Sequence, residues 1–396
     1  MNKSSGIREL EFIALMAFLM SNVALCIDTI LPALTEIGNS LEVANNNYLQ
    51  LVIIVVFMGL GVGELLFGTL SDSVGRKPIV FVGVGVFVLA SFLIVWAPDL
   101  KLLLAGRFLQ GFGLSAARSI SIAIIRDTYK GDRMARIMSF IMTIFILIPM
   151  VAPLLGQTIL DAYDWKAIFY FQLFFIGIVI IWFWLRQRET LSKEHRIAFS
   201  KRLFTDGLKE YIRHKKAILY TLTSGLIQGA FIAYLGSSQQ IFQVQYQKVE
   251  EFPYIFGGLA IAVGVSSLLN GSMVLKYGML KLIRLSLFLS ILSSSIYLVF
   301  FLNSTNPTLV VLIVFLAIQF LTMGFTFGNL SALAMEPIGH IAGIGAALFN
   351  FMSMTVAVAV AVMVGMFIQG TVIPLFVGFF LSSIFAMLLI KFAQSS

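Results

Sequence analysis

Long apolar runs broken by short polar segments dominate the chain. Twelve runs are separable, at about 10–34, 47–71, 77–97, 101–126, 133–160, 165–187, 216–246, 253–275, 280–302, 308–335, 341–368 and 371–392. Each is near the ~20 residues that carry a helix across a bilayer core. The runs are continuous and do not alternate with period two, which predicts helices and not barrel strands. An open strand would leave backbone groups unsatisfied in lipid. One long polar stretch, Arg186 to Lys216, divides the runs six and six. Inside it Phe199, Leu203, Leu208 and Ile212 predict a short amphipathic helix on the membrane surface. The expected fold class is an all-α integral membrane protein. Residues 1–187 form an N-terminal six-helix bundle, 188–215 a linker, and 216–396 a C-terminal six-helix bundle.

Composition agrees with the pattern. The 396 residues are 59% hydrophobic and 12% charged, about half the charge of a soluble domain. Arg8, Glu9 and Glu11 flank the first run, and no small-residue cleavage pattern follows it, so it reads as a true first span. The single cysteine, Cys26, excludes an internal disulfide. A net charge of +8 could suggest nucleic acid, but its distribution is topological. With the N-terminus inside, 22 of the 27 Lys and Arg fall in cytoplasmic segments, from Lys3 and Arg8 to Lys391. Only Lys101, Lys166 and Lys248 fall outside, and Arg107 and Arg118 lie within spans. This asymmetry places both termini in the cytoplasm and removes the case for a nucleic-acid partner.

The halves carry a faint repeat. GTLSDSVG, Gly68 to Gly75, follows span two, and GSMVLKYG, Gly271 to Gly278, follows span eight. Both place glycines seven apart in the corresponding loop, as expected of parallel six-helix repeats with a midplane site between them.

Four signatures make the sequence resemble a major facilitator superfamily protein. GTLSDSVGRKP, Gly68 to Pro78, is similar to the superfamily's loop between spans two and three. LLLAGRFLQGFG, Leu102 to Gly113, resembles its fourth-span signature. PMVAPLLG, Pro149 to Gly156, resembles the fifth-span signature of drug–proton antiporters, although Gln157 stands where a second glycine is usual. IDTILPAL, Ile27 to Leu34, resembles the first-span signature of the twelve-span bicyclomycin and chloramphenicol resistance branch, as do RDTY at Arg126 to Tyr129 and MEPIGHIAG at Met335 to Gly343. The resemblance implies two bundles related by a pseudo-two-fold axis, a bacterial inner membrane location, a small-molecule substrate, H+ as coupling ion, no cofactor, and a chain that works as a monomer. It also implies that Gly68, Asp72, Gly75 and Arg76 form a latch between the halves, and that Pro149, Pro153 and Gly156 form a kinked antiporter helix.

Candidate chemistry concentrates in the first half. Asp28, Glu64, Arg107 and Arg118 are the ionisable residues well inside spans, and such residues are functional candidates by default. Asp28 and Arg107 lie at similar depth, so they can pair; the alternative is a purely structural ion pair. Loss of water favours a neutral carboxyl, and a nearby guanidinium favours the anion. A motion separating the two would let Asp28 take and release a proton, which makes it the expected coupling group. Glu64 is either a second proton site or a residue facing a neighbouring helix. Arg107, Gly111, Ser115 and Arg118 form one stripe of the fourth span. Arg118 could favour an anionic substrate, or could snorkel or pair with Glu64.

The second half offers neutral candidates for the substrate cavity: Gln228, Phe231, Tyr234, Ser238, Gln239, Asn270, Asn329 and Asn350. No nucleotide loop of the GxxxxGK type occurs. His195, His214 and His340 are scattered without metal-ligand spacing, so no metal site is expected. The expected function is proton-coupled efflux of small molecules by alternating access, as a secondary active transporter and not an enzyme. The alternatives are a dedicated exporter of an anionic metabolite such as a carboxylate siderophore, and a non-transporting membrane receptor or scaffold.

Overall fold

The computed structural model describes residues 4–196, 200–302 and 306–395. Lys3 and Phe199, and the side chains of Arg8, His195 and Leu203, lie outside what it describes. The first span is helix α1 (Ser4–Asp28), a 3-10 turn (Leu31–Ala33) and α2 (Leu34–Ser40). Then come α3 (Leu51–Val74), α4 (Arg76–Val95), α5 (Leu100–Thr128), α6 (Gly131–Ala162) and α7 (Trp165–Arg186). The polar stretch holds α8 (Lys201–Arg213). The rest is α9 (Lys215–Gln239), prolonged by a π-helical turn (Gln240–Gln245), then α10 (Phe252–Tyr277), α11 (Met279–Phe301), α12 (Leu309–Met335), α13 (Ala342–Gly365) and α14 (Ile373–Ser395).

Among the described residues, eleven helical stretches are long and apolar enough to cross a membrane. One of them, Leu309–Gly365, has 57 residues. It divides at the turn Glu336–Ile341, where Pro337 removes a donor and Ile338 leaves helical geometry with φ −120° and ψ 22°. The 27 residues of α12 and the 24 of α13 rise about 40 and 36 Å at ~1.5 Å per residue. Each is therefore long enough to cross by itself, which makes twelve candidate spans among the described residues, the number that the apolar pattern predicts.

The chain divides into two compact units. One is Met1–Glu42 with Gly59–Ser200; the other is Val43–Met58 with Lys201–Ser396. Helix ends follow local chemistry. Asp99 and Asp164 cap α5 and α7 by accepting from the N–H groups of Leu102 (2.8 Å) and Ala167 (3.1 Å). Gly75 (φ +124°) joins α3 to α4, and Gly278 (φ +80°) joins α10 to α11. Both turns need a left-handed residue, which gives the repeated glycine a physical reason.

Small residues set the closest helix contacts. In the first unit a Cβ on Gly113 would lie 2.4 Å from the Gly83 carbonyl of α4. In the second, Gly225 and Gly229 of α9 lie against the Ser353 and Ala357 carbonyls of α13. Helix α8 is anchored to the second unit. Its Gly207 sits under Ile344, and the Tyr211 hydroxyl meets the Thr221 hydroxyl at 2.6 Å. Leu208 and Ile212 remain exposed on α8, where an apolar face on lipid would place them.

Candidate functional site

The first site forms where span one breaks. Pro32 has no N–H to give the Asp28 carbonyl, and its ring crowds that position, so α1 ends at Asp28. The side chain of Asp28 is 4% exposed. Beside it, Thr29 donates to the Leu25 carbonyl at 2.6 Å and accepts from Gln172 Nε2 at 2.9 Å. Gly156 of α6 presses on the Thr29 carbonyl; a Cβ there would lie 1.9 Å from the oxygen. The fifth-span signature thus fits against the first-span signature at the residue after Asp28. Pro149 and Pro153 sit inside α6, which continues through them. Gln157 turns along its own helix to Asp161 Oδ1 at 2.7 Å.

The pair expected between Asp28 and Arg107 is not formed. Among the described residues Asp28 takes part in no salt bridge. The fully buried Arg107 directs Nη1 to the Cys26 carbonyl (3.1 Å), the Cys26 Sγ (3.3 Å) and Gln110 Oε1 (2.8 Å). Carbonyls in the last turn of a helix lack intrahelical donors, and a cation suits that end of the dipole. Arg107 therefore holds the end of α1 through backbone and not through the carboxylate. Gln110 Nε2 passes the network on to Ser91 Oγ of α4 at 2.8 Å. Cys26, Ser91 and Gln110 were not site candidates from sequence. The signal available was that Gln110 lies three residues after Arg107, on the same helix face.

Deeper along α5, Arg118 Nη1 meets Glu64 Oε1 of α3 at 3.0 Å. Their side chains are 35% and 4% exposed. Of the alternatives open for Arg118, pairing with Glu64 is the one formed. Ser115 departs from the expected stripe: it is buried, donates to the Phe112 carbonyl at 2.6 Å and abuts Gly63. It packs α5 on α3.

The loop after α3 forms a compact ionic cluster. Arg76, at the start of α4, bridges Asp72 in the last turn of α3 and Asp127 Oδ2 of α5 (3.0 Å), and Nη1 also reaches Ser71 Oγ at 2.7 Å. Glu189, just past α7, accepts the N–H of Arg76 on one oxygen and that of Lys77 on the other, each at 3.0 Å. It thereby caps the first turn of α4 from a remote part of the chain. Partial desolvation opposes the Glu189 anion, but the N–H groups of Leu191, Lys77, Arg76 and Thr190 outweigh it and hold the carboxyl below the usual range. Gly75 passes under this carboxylate; a Cβ would lie 2.7 Å from Glu189 Oε2. Gly68 faces open space instead, so it does not serve close helix approach.

The neutral candidates of the second unit do not converge on one point. Gln228 bonds to Ser224 (2.8 Å), Ser238 to the Leu235 carbonyl (2.9 Å) and Gln239 to Gln243 (2.8 Å), all along their own helix or its π turn. Tyr234 is buried in an aromatic cluster with Phe242, Phe256 and Phe320, and Phe231 packs on Phe320 and Phe327. Asn270 and Asn329 exchange bonds between α10 and α12 at 3.3 and 2.8 Å. The Asn350 carbonyl accepts from Ser353 at 3.2 Å.

Two polar centres in this unit were not anticipated. Gln319 of α12 bonds to Ser290 Oγ (2.6 Å) and Ser294 Oγ (2.9 Å) of α11, and Ser290 meets Ser383 of α14 at 2.8 Å. A cavity of about 10 Å³ beside Ser290, Thr322 and Ser383 is the size of one water. Gln50 donates to Gly365 O (2.9 Å) and Gln240 Oε1 (3.2 Å), at the edge of a cavity of about 190 Å³ that includes Asn45, Asn47 and Met366.

The chain is a polytopic helical protein with a broken first span and charges buried among its helices. The family model for the Major Facilitator Superfamily matches residues 12–362, and the chain belongs to that superfamily. It is similar to the uncharacterised MFS-type transporter YdgK of Bacillus subtilis (strain 168), 29% identical over 91% of this chain and 90% of the relative. The bicyclomycin resistance protein homolog of Haemophilus influenzae is 29% identical over 67% of each chain. Multidrug resistance protein MdtL of Vibrio parahaemolyticus is 37% identical over 36% of each. A peptide transporter POT solved in complex with sulfate shares the fold at TM-score 0.76 and 13% identity, covering 98% of this chain and 94% of the other.

Proposed function

We propose that the protein exports small apolar or amphipathic molecules from the cytoplasm in exchange for protons, by alternating access of the bundles 1–187 and 216–396. The observation that carries the reading is Asp28, buried where α1 breaks and, among the described residues, without an ion-pair partner. An unpaired buried charge is heavily penalised, so occupancy by a proton and exposure to one side become linked. In the coupling cycle Asp28 takes a proton from outside and gives it up inside. Arg107 keeps the end of α1 in place and offers a counter-charge when a rearrangement brings the carboxylate to it. The latch of the cycle is assigned to Gly68, Asp72, Gly75 and Arg76. The distribution of Lys and Arg supports cytoplasmic termini, with the latch on the cytoplasmic side.

Relatives named for bicyclomycin and multidrug resistance support drug export. Export of an anionic metabolite has less support, because Glu64 neutralises the cation on which that reading depended. Everted membrane vesicles provide the test. With a substrate panel of graded charge, an imposed proton gradient should drive uptake of neutral and cationic compounds. Uptake that ignores the gradient, or that is confined to anions, would defeat the proposal.

A further inference from the structure

Histidines that are scattered in sequence meet in the second unit. Glu210 sits in the last turn of α8, and His214 lies at the joint between α8 and α9. His340 comes from the turn between α12 and α13, more than a hundred residues away. Glu210 Oε1 lies 3.2 Å from His214 Nε2 and 3.3 Å from His340 Nε2. The three ligand atoms all fall within 4.8 Å of one another. Zinc bonded to N and O ligands at ~2.0–2.1 Å in a tetrahedron places those ligands about 3.3 Å apart. Two edges of such a tetrahedron are therefore already present, and the third, between the two imidazole nitrogens, is no longer than 4.8 Å. His340 is 57% exposed, which leaves a path for an ion and room for water as fourth ligand. The second oxygen of Glu210 faces Arg213 at 3.5 Å, so Oε1 is the oxygen directed at the imidazoles.

We propose that Glu210, His214 and His340 bind a divalent transition metal ion of the zinc class, with two imidazoles, one carboxylate and water as its ligands. The ligand set is borderline-soft and suits zinc over magnesium or calcium. The ion would staple the α8–α9 joint to the turn between α12 and α13. Tyr211 and Gly207 already dock α8 on the same unit, so the ligands are held near their positions before the ion arrives.

The chain makes a clean test. His195 is the only other histidine, and the single cysteine, Cys26, is buried. Full-length protein purified in detergent, carrying no histidine tag, is titrated with Zn2+ against a chromophoric chelator. One equivalent should bind in the native protein and equally in His195→Ala. Outer-shell partners alone are worth about 10–100-fold in metal affinity, so Glu210→Gln, His214→Ala and His340→Ala should each weaken binding at least tenfold. X-ray absorption at the zinc edge should report two imidazole nitrogens. The proposal is overturned if no saturable equivalent binds, if His340→Ala binds as the native chain does, or if the absorption spectrum lacks imidazole scattering. Circular dichroism of each variant separates lost ligation from lost folding; Glu210→Gln, which keeps shape and size, decides should either alanine variant prove unfolded.

Discussion

The two units bury polar groups in opposite ways. The first buries Asp28, Glu64, Arg76 and Arg107, whereas the buried polar side chains described in the second are all neutral. Where the first unit holds α1, α4 and α5 together through a guanidinium, the second holds α11, α12 and α14 together through Gln319 and serines. Neutral hydrogen bonds keep their strength whatever the pH, while a buried carboxyl changes charge with its access to water. The contrast supports assigning the proposed proton handling to the first unit. The second can give way to substrate or to its partner without any change in ionisation.

The sharpest way to break this contrast is Asp28→Asn. One charge moved through ~100 mV is worth about 2.3 kcal/mol, an accumulation ratio of about 50-fold. Gradient-driven substrate accumulation in everted vesicles should collapse, while downhill exchange persists. Intact pH-dependent accumulation in the variant would return proton handling to some other group.

Next in size is the Glu64–Arg118 pair. Arg118→Ala removes the cation paired with the buried Glu64 carboxylate, and breaking such a pair costs several kcal/mol in a dry site. Because Arg118 is 35% exposed, water replaces part of its charge, and about 1–3 kcal/mol is expected. Joining it with Glu64→Gln should recover most of that. Thermal unfolding in detergent completes the cycle, and strictly additive losses would show that the pair is not coupled.

Gly156→Ala should cost about 1–3 kcal/mol through overpacking against the Thr29 carbonyl, and should impair transport by displacing the break at Asp28. Gly68→Ala, in open space, is its control and should be nearly silent in the same melting and vesicle assays. In the second unit Gln319→Leu should cost about 1–2 kcal/mol, since Ser290 and Ser294 lose their shared partner. The loss should be the same at pH 6 and pH 8; a pH-dependent loss would blur the division between the units.

The smallest effect is at Glu189. Its carboxyl sits below the ordinary range when folded, so its contribution is complete above the unfolded value of about 4.3 and disappears as pH falls through the lowered folded value. Glu189→Gln should lower stability by no more than about 1 kcal/mol at pH 7. The difference in melting temperature from the native chain should shrink below pH 4. A constant difference would mean that the cap acts without its charge.

Spans, their number and their residue chemistry are local properties, so they were open to reading along the chain. Apolar length predicts twelve helices, Pro32 ends α1, and the glycines at 75 and 278 mark left-handed turns, because lipid and backbone sterics act on neighbours in sequence. Partnership is not local. Arg107 could reach the Asp28 carboxylate or the Cys26 carbonyl by spacing alone, and only the placement of α5 beside the end of α1 chose the carbonyl. Glu64 claimed Arg118 in the same way, and Gly63 packs on Ser115. Glu210 and His214 were one helical turn apart in the text of the chain, but His340 joins them only because the α12–α13 turn folds onto α8. Backbone preferences are decided within a few residues; which charge meets which is decided by helices that pack from far along the chain.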